Sequence, residues 1–190
     1  MKAVMRTLAL LMLASFTMSA YSASKTILVL GDSLSAEYGL ARGEGWVNLL
    51  QKKLEAEKIT ASIVNASISG ETTSGGAARL QTLLDKHQPA VVVIELGAND
   101  ALRGLSLIAT QQNLRNMVAA AKKAKARVLL IGMQIPPNYG TDYTRQFADL
   151  FPKIAKESKS ALVPFMLKDV ADKANPNLFQ ADRILSLIHI

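Results

Sequence analysis

The sequence predicts a three-layer α/β/α domain on a five-stranded parallel sheet, and two observations carry that reading. The first is a set of short apolar runs: Thr26 to Leu30, Ser62 to Asn65, Ala90 to Leu96, Arg127 to Ile131 and Ala161 to Phe165. Strands this short and apolar are buried on both faces, the habit of parallel sheets. The second is the alternation of these runs with helical periodicity. Trp46, Leu49, Leu50 and Leu54 recur at helical spacing, as do Leu80, Leu83 and Leu84, then Leu114, Met117, Val118 and Ala121. Such stripes pack on a sheet. Right-handed crossovers between the strands give the order 2-1-3-4-5.

Ahead of the first strand, Lys2 and Arg6 precede an apolar run from Leu8 to Phe16, followed by small residues near Ala20, Ser22 and Ala23. Residues 1–23 are therefore expected to be a signal peptide, and the protein periplasmic or secreted. The run is far shorter than the roughly 20 residues of a spanning helix. Cleavage there leaves 20 basic against 15 acidic residues, a charge of +5. The basic residues are dispersed, with Lys122, Lys123, Lys125 and Arg127 the densest run and no aromatics among them. That argues against a nucleic-acid surface and leaves at most peripheral contact with anionic membranes. The chain has no cysteine and only two histidines, so thiol chemistry is excluded and no metal or other cofactor is expected.

Open parallel sheets bind ligands beyond the carboxyl ends of their strands, and three polar, glycine-containing segments fall there. Gly31 to Ser35 (GDSLS) follows the first strand, Asn65 to Gly76 the second, and Gly97 to Asp100 (GAND) the third. Ser33 stands at a strand-to-turn junction beside free backbone N–H groups, where a serine nucleophile sits. A GDS tripeptide alone describes an ordinary turn or cap just as well. With Gly70 offering a backbone N–H and Asn99 a side-chain amide, however, the Ser33 N–H completes three donors. Aimed at one point, they would hold the oxyanion of an acyl-transfer intermediate. The segment GETTSGG lacks the Gly-Lys-Ser/Thr ending of a phosphate-gripping loop, which argues against nucleotide binding.

These segments resemble the first three sequence blocks of the SGNH (GDSL) hydrolases. More narrowly, ILVLGDSLSAEYGL, the stretch Asn65 to Gly75 and VVVIELGANDALRG are similar to a bacterial periplasmic group of acyl-CoA thioesterases, lysophospholipases and arylesterases. The likeness runs from about Thr26 to Ile184, so 24–184 reads as the hydrolase domain. It implies a flavodoxin-like fold, Ser33 as nucleophile, and Ser33, Gly70 and Asn99 as the oxyanion hole. The family pattern ends in Asp-x-x-His, whose histidine activates the serine and whose aspartate orients the histidine. Here that stretch reads Asp182, Arg183, Ile184, Leu185, so Asp182 is the candidate triad acid and leucine stands in the histidine's place. Residues 185–190, LSLIHI, read as a non-family tail on a domain truncated before its closing helix. His87 precedes the third strand and belongs at the opposite edge, about 20 Å away. His189 falls on a terminal apolar stretch, a poor place for an ordered base.

The expected partner is a small-molecule acyl ester or thioester, handled by a monomer. Leu102, Leu105, Ile135, Pro137 and Tyr139 would line an apolar acyl groove, favouring medium to long chains. A carbohydrate or small-acyl esterase, and a non-catalytic acyl-binding protein, are the alternatives. Without its histidine, this chain is expected to be nearly inactive.

Overall fold

The computed structural model describes residues 25–170. Five parallel strands, β1 (Lys25–Gly31), β2 (Ala61–Asn65), β3 (Val91–Glu95), β4 (Arg127–Ile131) and β5 (Ala161–Val163), form one sheet in the order β2-β1-β3-β4-β5. This is the predicted order, and the strands lie within a few residues of the predicted runs. The helices are α1 (Trp46–Ala56), α2 (Thr73–His87), α3 (Ala98–Leu102), α4 (Leu107–Lys123) and α5 (Thr141–Ser158). Thr72 caps α2 by accepting from Gly75 N, and Ser106 caps α4 by accepting from Ala109 N.

Strand order and crossover handedness place α1 on one face and α2, α4 and α5 on the other, because the chain first steps one way along the sheet and then returns. Leu30 points at the three-helix face: a Cβ built on Gly76 of α2 would meet Leu30, Leu96 and Met117 of α4. The pleat and the parallel register put Leu28, Val92, Ile94, Val128 and Leu130 on that same face, all buried. On the α1 face Val29, Val93 and Ile131 are buried, but Ile27, Val91 and Leu129 only half so. The larger part of the core thus lies under three helices.

Helix α5 lies outside the three apolar stripes read from the sequence, which mark α1, α2 and α4. Its buried residues Phe147, Leu150, Phe151 and Ile154 recur at helical spacing, and Phe147 meets Phe151 edge to face with ring centroids 5.4 Å apart. Pro152 in the middle of this run reads as a helix breaker from sequence. It is tolerated on the exposed side, where the backbone carbonyl left without a donor can be solvated. None of the described helices is long and apolar enough to cross a membrane.

Candidate active site

The three polar loops meet at the carboxyl edge and are tied together by hydrogen bonds. Asn65 Nδ2 donates to Ser35 O at 2.7 Å and Ile68 N to Gly31 O at 3.1 Å, joining the loops after β1 and β2. Asn99 Nδ2 donates to Asp32 Oδ2 at 3.0 Å, joining the loops after β1 and β3. Arg103 Nη2, just past α3, donates to Gly70 O at 2.9 Å and closes the ring. Ser33, Gly70 and Asn99 are each half-buried, hence reachable from solvent.

Ser33 opens a run of turns held by Ala36 N donating to Asp32 O at 2.9 Å and by Tyr38 N donating to Ser33 O. Asp32 shapes its start, since Oδ1 accepts from Leu34 N at 3.1 Å, an Asx turn. Gly31 cannot be replaced without disturbance, because a Cβ there would lie 2.6 Å from Ser35 Oγ and 2.7 Å from Glu95 Oε2. Gly70 has φ of +77°, a conformation open to glycine at little cost. Asn99 lies in the first turn of α3, whose next residue, Asp100, is buried and accepts from Thr73 N at 2.8 Å and Thr73 Oγ1 at 2.6 Å. That pair docks α3 onto the start of α2.

Below Ser33 lies a buried polar cluster that sequence reasoning missed. Asp32 and Glu95, 1% and 2% exposed, stand side by side, with Asp32 N 3.2 Å from Glu95 Oε2. Glu95 Oε2 accepts from Asp32 N at 3.2 Å and from Ser35 Oγ at 2.8 Å, and Ser35 Oγ accepts from Trp46 Nε1 at 3.2 Å. Burial pushes Asp32 up to about 6 against the bonds from Leu34, Glu95 and Asn99. Burial, then the neighbouring charge of Asp32, pushes Glu95 well above the usual carboxylate range. The one available signal was a glutamate closing the apolar run VVVIE.

His87, the last residue of α2, precedes β3 and stays at the far edge, as expected. Asp182, Leu185 and His189 lie outside the described residues, as does the expected signal peptide. Of the proposed groove residues, Leu105, Pro137 and Tyr139 are exposed and Leu102 is half-buried, while Ile135 is 7% exposed and belongs to the core. Ile68, in the loop leading to Gly70, adds an exposed apolar side chain that had not been foreseen. A separate cavity of about 270 Å³ opens between α4 and α5 beside Ile108 and Leu150, and none of the three donors lines it. Among the described residues no group of three or more His, Asp or Glu is placed to hold a metal ion.

A doubly wound sheet with a turn serine and amide donors gathered at its carboxyl edge has the form of an acyl hydrolase. The chain belongs to the GDSL-like Lipase/Acylhydrolase family, whose sequence profile matches residues 29–189, past Leu185. It is 46% identical to Esterase TesA of Pseudomonas aeruginosa, over 91% of this chain and 90% of that protein. To Thioesterase 1/protease 1/lysophospholipase L1 of Escherichia coli it is 44% identical, over 86% and 76%. The structure is similar to that of the psychrotrophic esterase EstA from Pseudoalteromonas sp., inhibited by monoethylphosphonate. The TM-score is 0.80, with 44% identity over 85% of this chain and 87% of that one. By family the chain is an ester or thioester hydrolase.

Proposed function

We propose that this protein hydrolyses acyl esters and thioesters through an acyl-enzyme on Ser33. The observation that carries the reading is the closed ring of hydrogen bonds bringing a reachable serine, a glycine N–H and an asparagine amide to one sheet edge. Ser33 Oγ attacks the acyl carbonyl carbon, and the oxyanion accepts from Ser33 N, Gly70 N and Asn99 Nδ2. Collapse expels the alcohol or thiol. Water then attacks the acyl-enzyme, releasing the carboxylic acid and restoring Ser33. Inhibition of the similar EstA by monoethylphosphonate supports this route, because a tetrahedral phosphonate has the shape of the acyl-transfer intermediate. The esterase and thioesterase names of the relatives support both leaving groups.

Exposed Ile68, Leu105 and Tyr139 favour a medium to long acyl chain. Export by residues 1–23 and action as a monomer belong to the same reading. The base would be a histidine oriented by Asp182, and its place is taken by Leu185. Without a base Ser33 is a neutral alcohol. Serine proteases that lose a triad member keep only about 10³- to 10⁴-fold over water.

The test assays a chromogenic acyl ester and an acyl thioester with four proteins. They are the chain as it stands, its Leu185→His variant, that variant followed by a family-like closing helix, and the last with Ser33→Ala. Activity should rise with Leu185→His, rise or hold with the helix, and vanish with Ser33→Ala. Turnover by the unaltered chain at the fully restored rate would overturn the account of the base. His189→Ala would then show whether His189, which lies within the family match, activates Ser33. Undiminished turnover in Ser33→Ala would overturn the reading itself, and a preference for acetylated sugars would move it to the carbohydrate esterases.

A further inference from the structure

Two carboxyl groups buried side by side are not both ionised without a cation beside them, and none of the ion pairs among the described residues brings a cation to Asp32 or Glu95. The surrounding bonds decide where that proton can sit. Glu95 Oε2 already accepts twice, from Asp32 N and from the Ser35 hydroxyl, whose oxygen in turn accepts from Trp46 Nε1. Asp32 Oδ1 accepts from a backbone N–H, and Asp32 Oδ2 accepts from Asn99. A proton on the remaining oxygen of Glu95, donated to Asp32, satisfies every one of these bonds. A proton on Asp32 Oδ2 would instead make that oxygen a poorer acceptor for Asn99 or, turned toward Asn99, ask its amide to turn over.

The orientation of that amide matters for the chemistry. With Nδ2 bonded to Asp32, one amide hydrogen is fixed and the second remains for an oxyanion. Turned over, Asn99 would present its own carbonyl oxygen to a developing negative charge.

We propose that Glu95 is a positioning residue that stays protonated and donates to Asp32, so that Asp32 remains an acceptor and holds the Asn99 amide with its N–H toward the oxyanion. This rests on the assignment of Asn99 to the oxyanion hole, and the contact it invokes spans 63 residues of sequence. Glu95 touches no substrate. It acts through Asp32.

Two measurements test it. In the restored chain carrying Leu185→His and the closing helix, Glu95→Ala should lower kcat by about 10- to 100-fold, up to the low end of what losing an oxyanion donor outright costs, with KM unchanged within about twofold. Glu95→Gln can accept through its oxygen and donate through its amide, and should recover most of that loss, whereas Asp32→Asn should not. Glu95→Gln as impaired as Glu95→Ala, or full kcat in Asp32→Asn, would overturn the proposal. The second measurement needs no turnover. The unaltered chain at neutral pH should show the infrared carbonyl band of a buried protonated carboxyl, and Glu95→Gln should remove it. Absence of the band, or its persistence in that variant, would overturn the proposal even if Ser33 proved not to be the nucleophile.

Discussion

The two edges of the sheet use the same left-handed backbone and fill it with different residues. At the carboxyl edge Gly70 and Gly97 take φ of +77° and +121°. At the amino edge, where helices end, Lys58, Lys125 and Lys159 take φ of 56°, 64° and 52°. Each of these lysines sits in the turn that closes a helix, with Ile59 N donating to Leu54 O, Ala126 N to Ala121 O and Ser160 N to Ala155 O. A side chain in this conformation costs roughly 1 kcal/mol, and the lysines recover part of it by standing near the negative ends of helix dipoles. Nothing has to approach the backbone there. At the carboxyl edge the proposed oxyanion hole asks a ligand to approach the Gly70 N–H, which glycine leaves open. Two non-glycine residues that follow strands also take the left-handed backbone, Asp169 after β5 with φ of 66° and Glu37 after β1 with φ of 59°; the Glu37 carboxylate accepts from Gly43 N, Gly45 N and Asn48 Nδ2, so that side chain is wanted where it stands.

The largest expected effect that breaks this comparison is Asn99→Ala in the restored chain. It should lower kcat by about 10²- to 10³-fold and cost about 1–3 kcal/mol of stability, because buried Asp32 loses a donor, read by kinetics and urea unfolding. A comparable loss at an amino-edge residue would abolish the distinction between the edges. Gly70→Ala should come next, at about 10-fold in kcat and about 1 kcal/mol of stability. Its Cβ would come 3.3 Å from Arg103 Nη2 and strain the bond that holds the loop. Loss of stability alone would mean that Gly70 serves the turn and not the oxyanion.

Asp32→Asn sharpens the comparison from the side of pH. Because burial raises Asp32 from 3.8 to about 6, the folded state holds a proton that the unfolded chain releases between these values. Asp32 therefore costs no stability below pH 3.8, and its cost grows as pH rises toward 6 and persists above. The stability of the variant relative to the parent should therefore be greater at pH 7 than at about pH 4, on top of a constant offset from the acceptor lost to Asn99, while its kcat falls. A constant difference across that range would mean that ionisation of Asp32 is not the cause.

The smallest effect belongs to the amino edge. Lys125→Gly should stabilise the protein by about 0.5–1 kcal/mol, since glycine adopts the left-handed turn without strain, and should leave kcat untouched. Destabilisation, read by thermal unfolding, would show that the lysine side chain contributes more than its backbone costs.

The strands and their order were legible because period and run length are local properties, and crossover handedness turns them into a topology. The gathering of Ser33, Gly70 and Asn99 at one edge follows from that topology, each residue standing just past a strand. Helix α5 was harder to read, since Pro152 carries the signal of a breaker and only its exposed position neutralises that signal. Ile135 misled in the opposite sense: from its place in a loop it reads as groove lining, yet packing buries it.

By itself, then, the sequence determined the fold class, the family and the sheet edge at which chemistry would be sought, all of which rest on spacing and on short contiguous motifs. Only the tertiary structure decided that Glu95 would meet Asp32, that Ser35 and Trp46 would complete the cluster, and which end of the Asn99 amide would be held. Those outcomes depend on side chains brought together from distant strands, where burial removes the water that would otherwise solvate each polar group and the surrounding donors and acceptors settle the place of a single proton.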